Sequence, residues 1–338
     1  MGITIYDIAK AADVSIATVS RVINDTGRVR SKTREKVLKL ADEMGYHPQA
    51  FAQGLASKKK NTIAVVVPVI SNYFFMEVLA GIQDQLSNHE YELNIINIKS
   101  DEDLFAQAEH LLKRQVAEGY IFISIHFSDE KWKSLKRYSK SIVIVDDWHK
   151  DFDSVNVDDK HGAYAATKHF VDQGYKKIAM ISALENSKPI IKRIEGYKKA
   201  LEDSGIEFDE NLIVTGDSSY RDGFSEKNGY QAMKKLLAMD PLPDACFSAS
   251  DIKSIGALKA MKEAGVHIPL ISYDNLAISE YIGLSTVAQP MYEMGSIATE
   301  YLLERIDNND KKISHTVYTP EIKLRESSNK PESISSTE

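Results

Sequence analysis

Residues 4–24 read TIYDIAKAADVSIATVSRVIN, and the spacing of their apolar residues decides the architecture of the N-terminal end. Thr4 followed by Asp7 is a capping-box pattern, after which Ile5, Ile8, Ala9 and Ala12 recur at helical spacing. Ala12-Asp13-Val14 interrupts that pattern. Ser15 is an N-cap residue, and Val19, Val22 and Ile23 form the inner stripe of a second helix, Ile16 to Ile23. A third helix is predicted after Ser31, packing Val37, Leu38, Ala41 and Met44 and stopping at Gly45. Two short helices joined by a tight turn and braced by a third make a helix-turn-helix. Its second helix offers N-terminal side chains to base edges, while neighbouring hydroxyl and basic residues bind phosphates.

The charge balance agrees with that reading once it is divided. The 338-residue chain carries a net charge of −7, but residues 1–60 hold eleven Lys/Arg against six Asp/Glu, and the remainder is at −12. A basic head on an acidic body puts the nucleic-acid partner at the N-terminal end. The composition, 43% hydrophobic and 27% charged, is that of a globular protein. The single cysteine, Cys246, excludes a disulfide framework within one chain and a cysteine-based zinc site. The longest apolar run, Ile63 to Ile70, is too short to span a bilayer, and Met1 to Lys10 show no secretory signal, so a cytoplasmic location is expected.

Between head and body, Pro48 is placed to start a short helix running to Ser57. A helix of about nine residues with Gly54 inside it is marginal in water, so this segment is expected to order only on a partner. Lys58, Lys59 and Lys60 follow, suited to phosphates. From Thr62 the chain alternates apolar runs (63–67, 93–98, 121–125, 142–145, 178–181, 245–247, 270–273) with amphipathic stretches (75–86, 104–115, 163–173, 193–204, 255–264). That alternation predicts parallel sheets covered by helices on both faces, and about 260 residues suit two lobes.

TIYDIAKAADVSIATVSRVIN, then TREKVLKLADEMGYHP (33–48) and GLASKKKNTIAVVVP (54–68), strongly resembles the lactose-repressor (LacI/GalR) family of bacterial transcription regulators. The likeness continues more loosely through residues 157–182, RIEGYKKAL (193–201), SASDIKSIGALKAM (248–261), SYDN (272–275) and STVAQP (285–290). The resemblance implies an α/β fold: a three-helix head, a hinge helix, and two periplasmic-binding-protein-like, doubly wound parallel-sheet lobes. The expected domains are 1–47 for the head, 48–61 for the hinge and linker, and 62–330 for an effector-binding and dimerisation domain. Its N-lobe is 62–159 and 289–319, its C-lobe is 160–288 and 320–330, and 331–338 is a disordered tail. Chain crossovers are expected near 158–162, 286–290 and 319–321.

Carried over by position, Ile16, Ala17 and Arg21 stand where the family reads bases, and Ser15, Thr18 and Ser20 where it positions the backbone. Thr4, Tyr6, Asn24, Arg28, Thr33, Tyr46, Ala52 and Lys58 are further candidate DNA contacts, and Leu55 stands where the family wedges a leucine into the minor groove. Arg21 suits a bidentate contact to guanine, and Ile16 and Ala17 suit thymine methyls. The resemblance also implies a homodimer on a pseudo-palindromic operator, and the tail lacks the leucine heptads of a tetramer.

In such folds the effector lies in the cleft at the carboxyl ends of the strands. Asn72, Tyr73 and Phe74, Asp147 and Trp148, Ser250 and Asp251, and Asp274 all follow strands, while Arg193 stands where the family places an effector-binding arginine. Carboxylates, amides, aromatic faces and a guanidinium suit a sugar or sugar acid. Asp251 equally suits a helix cap, one of Phe74 and Phe75 belongs to the core, and Tyr220 and Phe224 sit in a loop too long to place.

Two departures from the family pattern matter. HIPLISYDN (267–275) lacks about four residues before its strand, which affects how Asp274 is presented. The head and hinge are close to the catabolite-control branch, which docks a phosphorylated carrier protein, yet Thr299, Glu300 and Tyr301 stand where a basic residue is expected. A small effector is therefore favoured over a protein corepressor. No nucleotide, hydrolase or zincin motif is present, and the acidic stretch 146–159 lacks a calcium loop's spacing and reads as a solvated connection. Neither an enzyme nor a metal or cofactor site is expected. A sugar-transport protein would fit the body alone, and the basic head argues against it.

Overall fold

The computed structural model describes residues 3–23, 27–46, 60–68, 70, 73–98, 103–183, 188–217 and 223–330. Asn24, Ala52, Leu55, Lys58, Asn72 and Tyr220, residues 48–59 of the expected hinge, and the tail 331–338 lie outside the described residues. Two compact units emerge, Met1–Thr62 and Ile63–Glu338.

In the first unit, α1 (Ile5–Ala12), α2 (Ile16–Ile23) and α3 (Ser31–Glu43) form the head. Thr4 donates its backbone N–H and its hydroxyl to the Asp7 carboxylate at 2.9 and 2.7 Å, which fixes the start of α1. The turn to α2 needs a left-handed residue, and Asp13 supplies it at φ 54°. Ser15 then accepts from the Thr18 N–H at 3.1 Å. The apolar faces meet in a core of Ile8, Ala9, Ala12, Val19, Val22, Val37 and Ala41, and Lys36 closes the far side by donating to the Ala12 carbonyl at 2.8 Å. Leu38, expected inside, is 46% exposed, because one step from Val37 turns it to the outer face.

The second unit is built on two six-stranded sheets. The first has the order β11 (His315–Tyr318), β5 (Asp153–Val157), β4 (Ile142–Val145), β3 (Gly119–Ile123), β1 (Thr62–Val67), β2 (Glu92–Asn97). The second runs β12 (Glu321–Lys323), β10 (Ser285–Ala288), β9 (Leu270–Asp274), β8 (Ala245–Ser248), β6 (Ile178–Ile181), β7 (Ile213–Val214). The recorded pairings are parallel except β10 with β12. The chain leaves the first sheet after β5, returns to it for β11, and crosses again to β12.

Parallel strands buried on both faces explain the continuous apolar runs. Ile63, Val65 and Val67 join one core and Ala64 and Val66 the other. The helices are α4 (Tyr73–Leu86), α5 (Leu104–Arg114), α6 (Asp129–Leu135), α7 (Asp159–Asp172), α8 (Lys188–Asp203), α9 (Glu226–Leu237), α10 (Asp251–Ala264), α11 (Ala277–Tyr281) and α12 (Met291–Asp307). A Cβ on Gly81 would lie 2.0 Å from the Tyr292 carbonyl, and one on Gly295 2.0 Å from that of Val78. These reciprocal glycines let α12 return flush against α4 and thus place the second crossover. Among the described residues, no helix is long and apolar enough to cross a membrane.

Three helices start earlier than apolar periodicity predicts, α7 at Asp159, α8 at Lys188 and α10 at Asp251. Each opens on a charged residue at a strand end, Asp159, Lys188 or Asp251, ahead of the apolar stripe that marks the rest of the helix. The acidic stretch 146–159 is not a solvated connection. It contains β5, whose Asp153 and Ser154 are fully buried. The shortened approach to β9 is tight rather than broken, with the Pro269 carbonyl already accepting from Cys246 N–H in β8 at 2.8 Å.

Candidate functional site

The head presents one outward face. In α2, Val19 and Val22 point into the core, while Ile16, Ala17 and Arg21 are exposed on the opposite side. Ser15 and Thr18 sit at the N-terminal turn, joined through their hydroxyls at 2.9 Å. Ser20 is half-buried. Thr4, Tyr6 and Arg28 are exposed, Thr33 is half-buried, and Tyr46 lies half-buried against the head core. Polar and small apolar side chains on one helical face can meet both base edges and phosphates.

In the body, the strand ends gather a second set. Arg193, from the first half of α8, is 4% exposed. Its Nε donates to Asp159 Oδ1 at 2.8 Å and its Nη1 to the Ala249 carbonyl at 2.6 Å, and its guanidinium lies 3.7 Å from the centre of the Tyr273 ring. Burial works against the Arg193 charge, but Asp159, Tyr273 and Asp274 outweigh it and raise the pKa further above the ordinary value.

Asp274 ends β9 at φ 118°, a conformation costly for any residue but glycine, and accepts from Gln289 Nε2 at 2.7 Å. Burial pushes its carboxyl up to about 8 against the pull of Arg193. Asp146, just after β4 at φ 64°, accepts from Ser124 Oγ at 2.6 Å, and Ser124 itself has φ 50°. Burial and the nearby Asp159 raise Asp146 to about 6. Asp147 accepts from Lys188 Nζ of α8 at 2.7 Å and lies 3.4 Å from His126 Nδ1. Burial opposes that charge, but His126 and Lys188 together hold the Asp147 carboxyl below its ordinary range. Two buried polar atoms here, Ser250 Oγ and Gln289 Oε1, lack a hydrogen-bond partner, while Tyr273 Oη lies against the Asp159 carboxylate and Asp147 Oδ2 against His126 Nδ1. Such atoms are costly to leave unbonded, which makes these strand ends a candidate ligand site.

Of the residues named from sequence, Arg193 and Asp274 fall within this cluster, Ser250 beside it next to Ala249, and Asp147 at its edge. Asp251 is a correction. It is fully buried, and its carboxylate accepts from Leu276 N–H at 2.7 Å, Ser279 Oγ at 2.6 Å and Thr286 Oγ1 at 2.7 Å. It ties the loop after β9 to β10, with no oxygen left for an effector and no cap made to its own helix. Phe75 is core and Phe74 half-buried against it, ring edge to face at 5.7 Å. Tyr73 is 44% exposed, and Trp148 is 48% exposed beside the His315 ring at 5.5 Å. The aromatic face in contact with Arg193 is that of Tyr273. Asp146, Asp159, Ser124, His126, Lys188, Tyr273 and Gln289 escaped the sequence reading, although Asp146 adjoins Asp147 and Gln289 lies in the STVAQP motif.

A cavity of about 210 Å³ lies elsewhere, where β4 and β5 begin. Its cations are all matched, Lys136 with Asp151 at 3.2 Å, Lys140 with Asp310 at 3.3 Å, Arg305 with Asp153 at 2.8 Å and Lys311 with Glu304 at 2.7 Å. The strained, under-bonded strand ends are therefore the better candidate for ligand chemistry.

Residues 4–49 match the family described as bacterial regulatory proteins, lacI family, and residues 60–325 the periplasmic binding proteins and sugar binding domain of the LacI family. The chain is 35% identical over 334 residues to catabolite control protein A of Priestia megaterium, covering 94% of this chain and 98% of that protein. Among solved structures, it is similar to a complex of the transcriptional regulator CelR with cellobiose, with TM-score 0.69, 26% identity, and 96% and 99% of the two chains covered. It shares its fold with the lac repressor dimer bound to operator and an anti-inducer, with TM-score 0.79, 24% identity, and coverage of 97% and 99%.

Proposed function

The chain belongs to the LacI family of bacterial transcription regulators, and we propose that it is a sugar-responsive repressor whose effector sits around Arg193, Asp274 and Asp146. The observation that supports this placement is the cluster of buried, partnerless polar atoms at strand ends held in strained backbone. In this reading the effector draws on Ser250, Gln289 and Tyr273, and its binding changes how the two lobes approach each other. Asp147 of the first sheet and Lys188 of α8 already meet across them. A homodimer would bring two heads onto a two-fold related operator. Working on DNA, it acts in the cytoplasm as a binder rather than an enzyme.

Proposed domains are the head to residue 47, the hinge to 61, and two lobes divided at the crossovers. Ile16, Ala17 and Arg21 are proposed to read bases, and Leu55 to act at the minor groove. Selection of bound sites from random DNA by the full chain yields the operator. Arg21→Ala should weaken that site by about 1–3 kcal/mol and relax one base position. An unchanged motif and affinity would remove Arg21 from the reading surface.

The similarity to catabolite control protein A raises a second reading, a phosphorylated protein corepressor on α12. The surface does not favour it. The only basic residue of α12, Arg305, is buried against Asp153, Thr299 is buried, and Glu300 is exposed.

A further inference from the structure

Resting on the placement of the effector at these strand ends, the balance of charges and of donors against acceptors narrows its chemistry. Two of the buried aspartates have a cation of their own. Arg193 serves Asp159, and Lys188 serves Asp147 with His126 beside it. Asp146 and Asp274 have only neutral donors, Ser124 Oγ at 2.6 Å and Gln289 Nε2 at 2.7 Å. One comes from the end of a first-sheet strand and the other from a second-sheet strand, so both walls carry an acid with no cation bonded to it. Both lie within electrostatic reach of the same Arg193 and Asp159. Asp251, close enough to Asp274 to disfavour its charge, adds a further acid bonded only to hydroxyl and amide groups.

The partnerless atoms point the same way. Gln289 Oε1, 7% exposed as a residue, can only accept, and so can an ionised carboxylate. Ser250 Oγ, from a residue 2% exposed, can do either. Such a site calls for donors. A hydroxyl donates one hydrogen and an ammonium three, whereas a carboxylate or phosphate at neutral pH donates none and adds like charge.

We infer that the effector is a polyhydroxyl compound without an anionic group, and that a protonated amine in place of one hydroxyl improves its binding. Burial opposes the ionised forms of Asp146 and Asp274, and a cationic group between them would favour those forms. Sugar acids and sugar phosphates should therefore bind less tightly than the neutral sugar.

The test is calorimetric titration of the full chain with matched probes on the glucose, galactose and ribose frames, each as the neutral sugar, amino sugar, sugar acid and sugar phosphate. The amino form of the frame that binds should exceed its acid by about tenfold or more, about 1.4 kcal/mol, with the neutral sugar between them. The double substitution Asp146→Asn and Asp274→Asn keeps shape and acceptors while removing both charges, and should erase the preference for the amine. Arg193→Lys locates the site. An acid or phosphate that binds as tightly as its neutral sugar, in a manner weakened by Arg193→Lys, overturns the charge inference and leaves the effector site standing. Binding indifferent to Arg193→Lys, or no binding by any probe, overturns the placement of the site and the inference with it.

Discussion

Strand β5 has an aspartate–arginine pair near each end, and the two are built differently. Before its first turn into the sheet, Asp153 takes Arg305 Nε at 2.9 Å and Nη2 at 3.0 Å, and also the Ser314 N–H at 2.8 Å. Arg305 Nη1 goes on to the Lys311 carbonyl at 2.6 Å. No atom of that group is left without a partner. Past the other end of β5, Asp159 takes Nε of Arg193 and faces the Tyr273 hydroxyl, and nearby lie two further acids and the unbonded Ser250 Oγ and Gln289 Oε1. Both arginines are buried to a similar degree, so burial does not separate them. What separates them is completion. A saturated pair suits a structural role, and the less saturated one suits the proposed effector site.

The harshest test of that contrast is Arg305→Ala. Removing one partner of a buried pair leaves an uncompensated charge, and about 3–5 kcal/mol of stability should be lost. Urea unfolding measures it, and effector selectivity of the folded fraction should be unchanged. A loss below about 1 kcal/mol, the range of exposed pairs, would mean that Arg305 is no more structural than a surface residue.

Arg193→Lys comes next. Lysine keeps the charge but loses the fork and the stacking on Tyr273, so effector affinity should fall by about 1.5–3 kcal/mol, the scale of one charge-assisted hydrogen bond. The same change at Arg305 should alter the urea midpoint more and effector affinity less. If both variants lose the same property, the contrast is gone.

How far the sequence reveals this contrast depends on distance along the chain. The head was legible because its signals are local. Thr4 and Asp7 are three residues apart, Ser15 caps the turn next to it, and the α2 stripe lies within eight residues. The alternation of strands and helices was legible too, because strands buried on both faces write continuous apolar runs. Strand β5 was hidden because its sequence, DSVNV, carries polar residues that only a distant partner makes burial-tolerant, and Asp153 and Arg305 are 152 residues apart. The cleft was half legible. Arg193 and Asp274, named by motif position, fall in the strand-end cluster, but Asp159, Lys188 and Asp251 each open a helix, and no periodicity marks which of them joins that cluster and which ties down a loop.

A smaller effect concerns protons. The Asp274 carboxyl stands raised to about 8 by burial, so between about pH 4 and 8 the folded chain keeps a proton that the unfolded chain has released. Stability contributed by this group therefore falls as pH rises through that window and levels off above it, and Asp146, raised to about 6, adds the same sign between about pH 4 and 6. Asp274→Asn removes the first slope. Melting temperatures should coincide at pH 4, and the variant's advantage should grow toward pH 8. Parallel curves would show that Asp274 gains no proton on folding.

The smallest effect tests whether the unfinished end is also the revocable one. Lys188 reaches Asp147 at 2.7 Å from the opposite lobe, and its side chain is 47% exposed. A pair that wet contributes about 0–1 kcal/mol, too little to hold the lobes shut against a ligand's preference and enough to bias them. Asp147 keeps its bond from the Trp148 N–H at 2.8 Å when Lys188 is removed. Lys188→Met should thus leave the urea midpoint nearly unchanged. Its signature is salt. If lobe closure on the effector relies on this ion pair, raising ionic strength weakens effector binding in the unmodified chain and does so less in Lys188→Met, because screening acts on half-exposed charges and hardly on buried ones. Equal salt slopes would mean the lobes close without it, and that the Arg193 cluster alone distinguishes the two ends of β5.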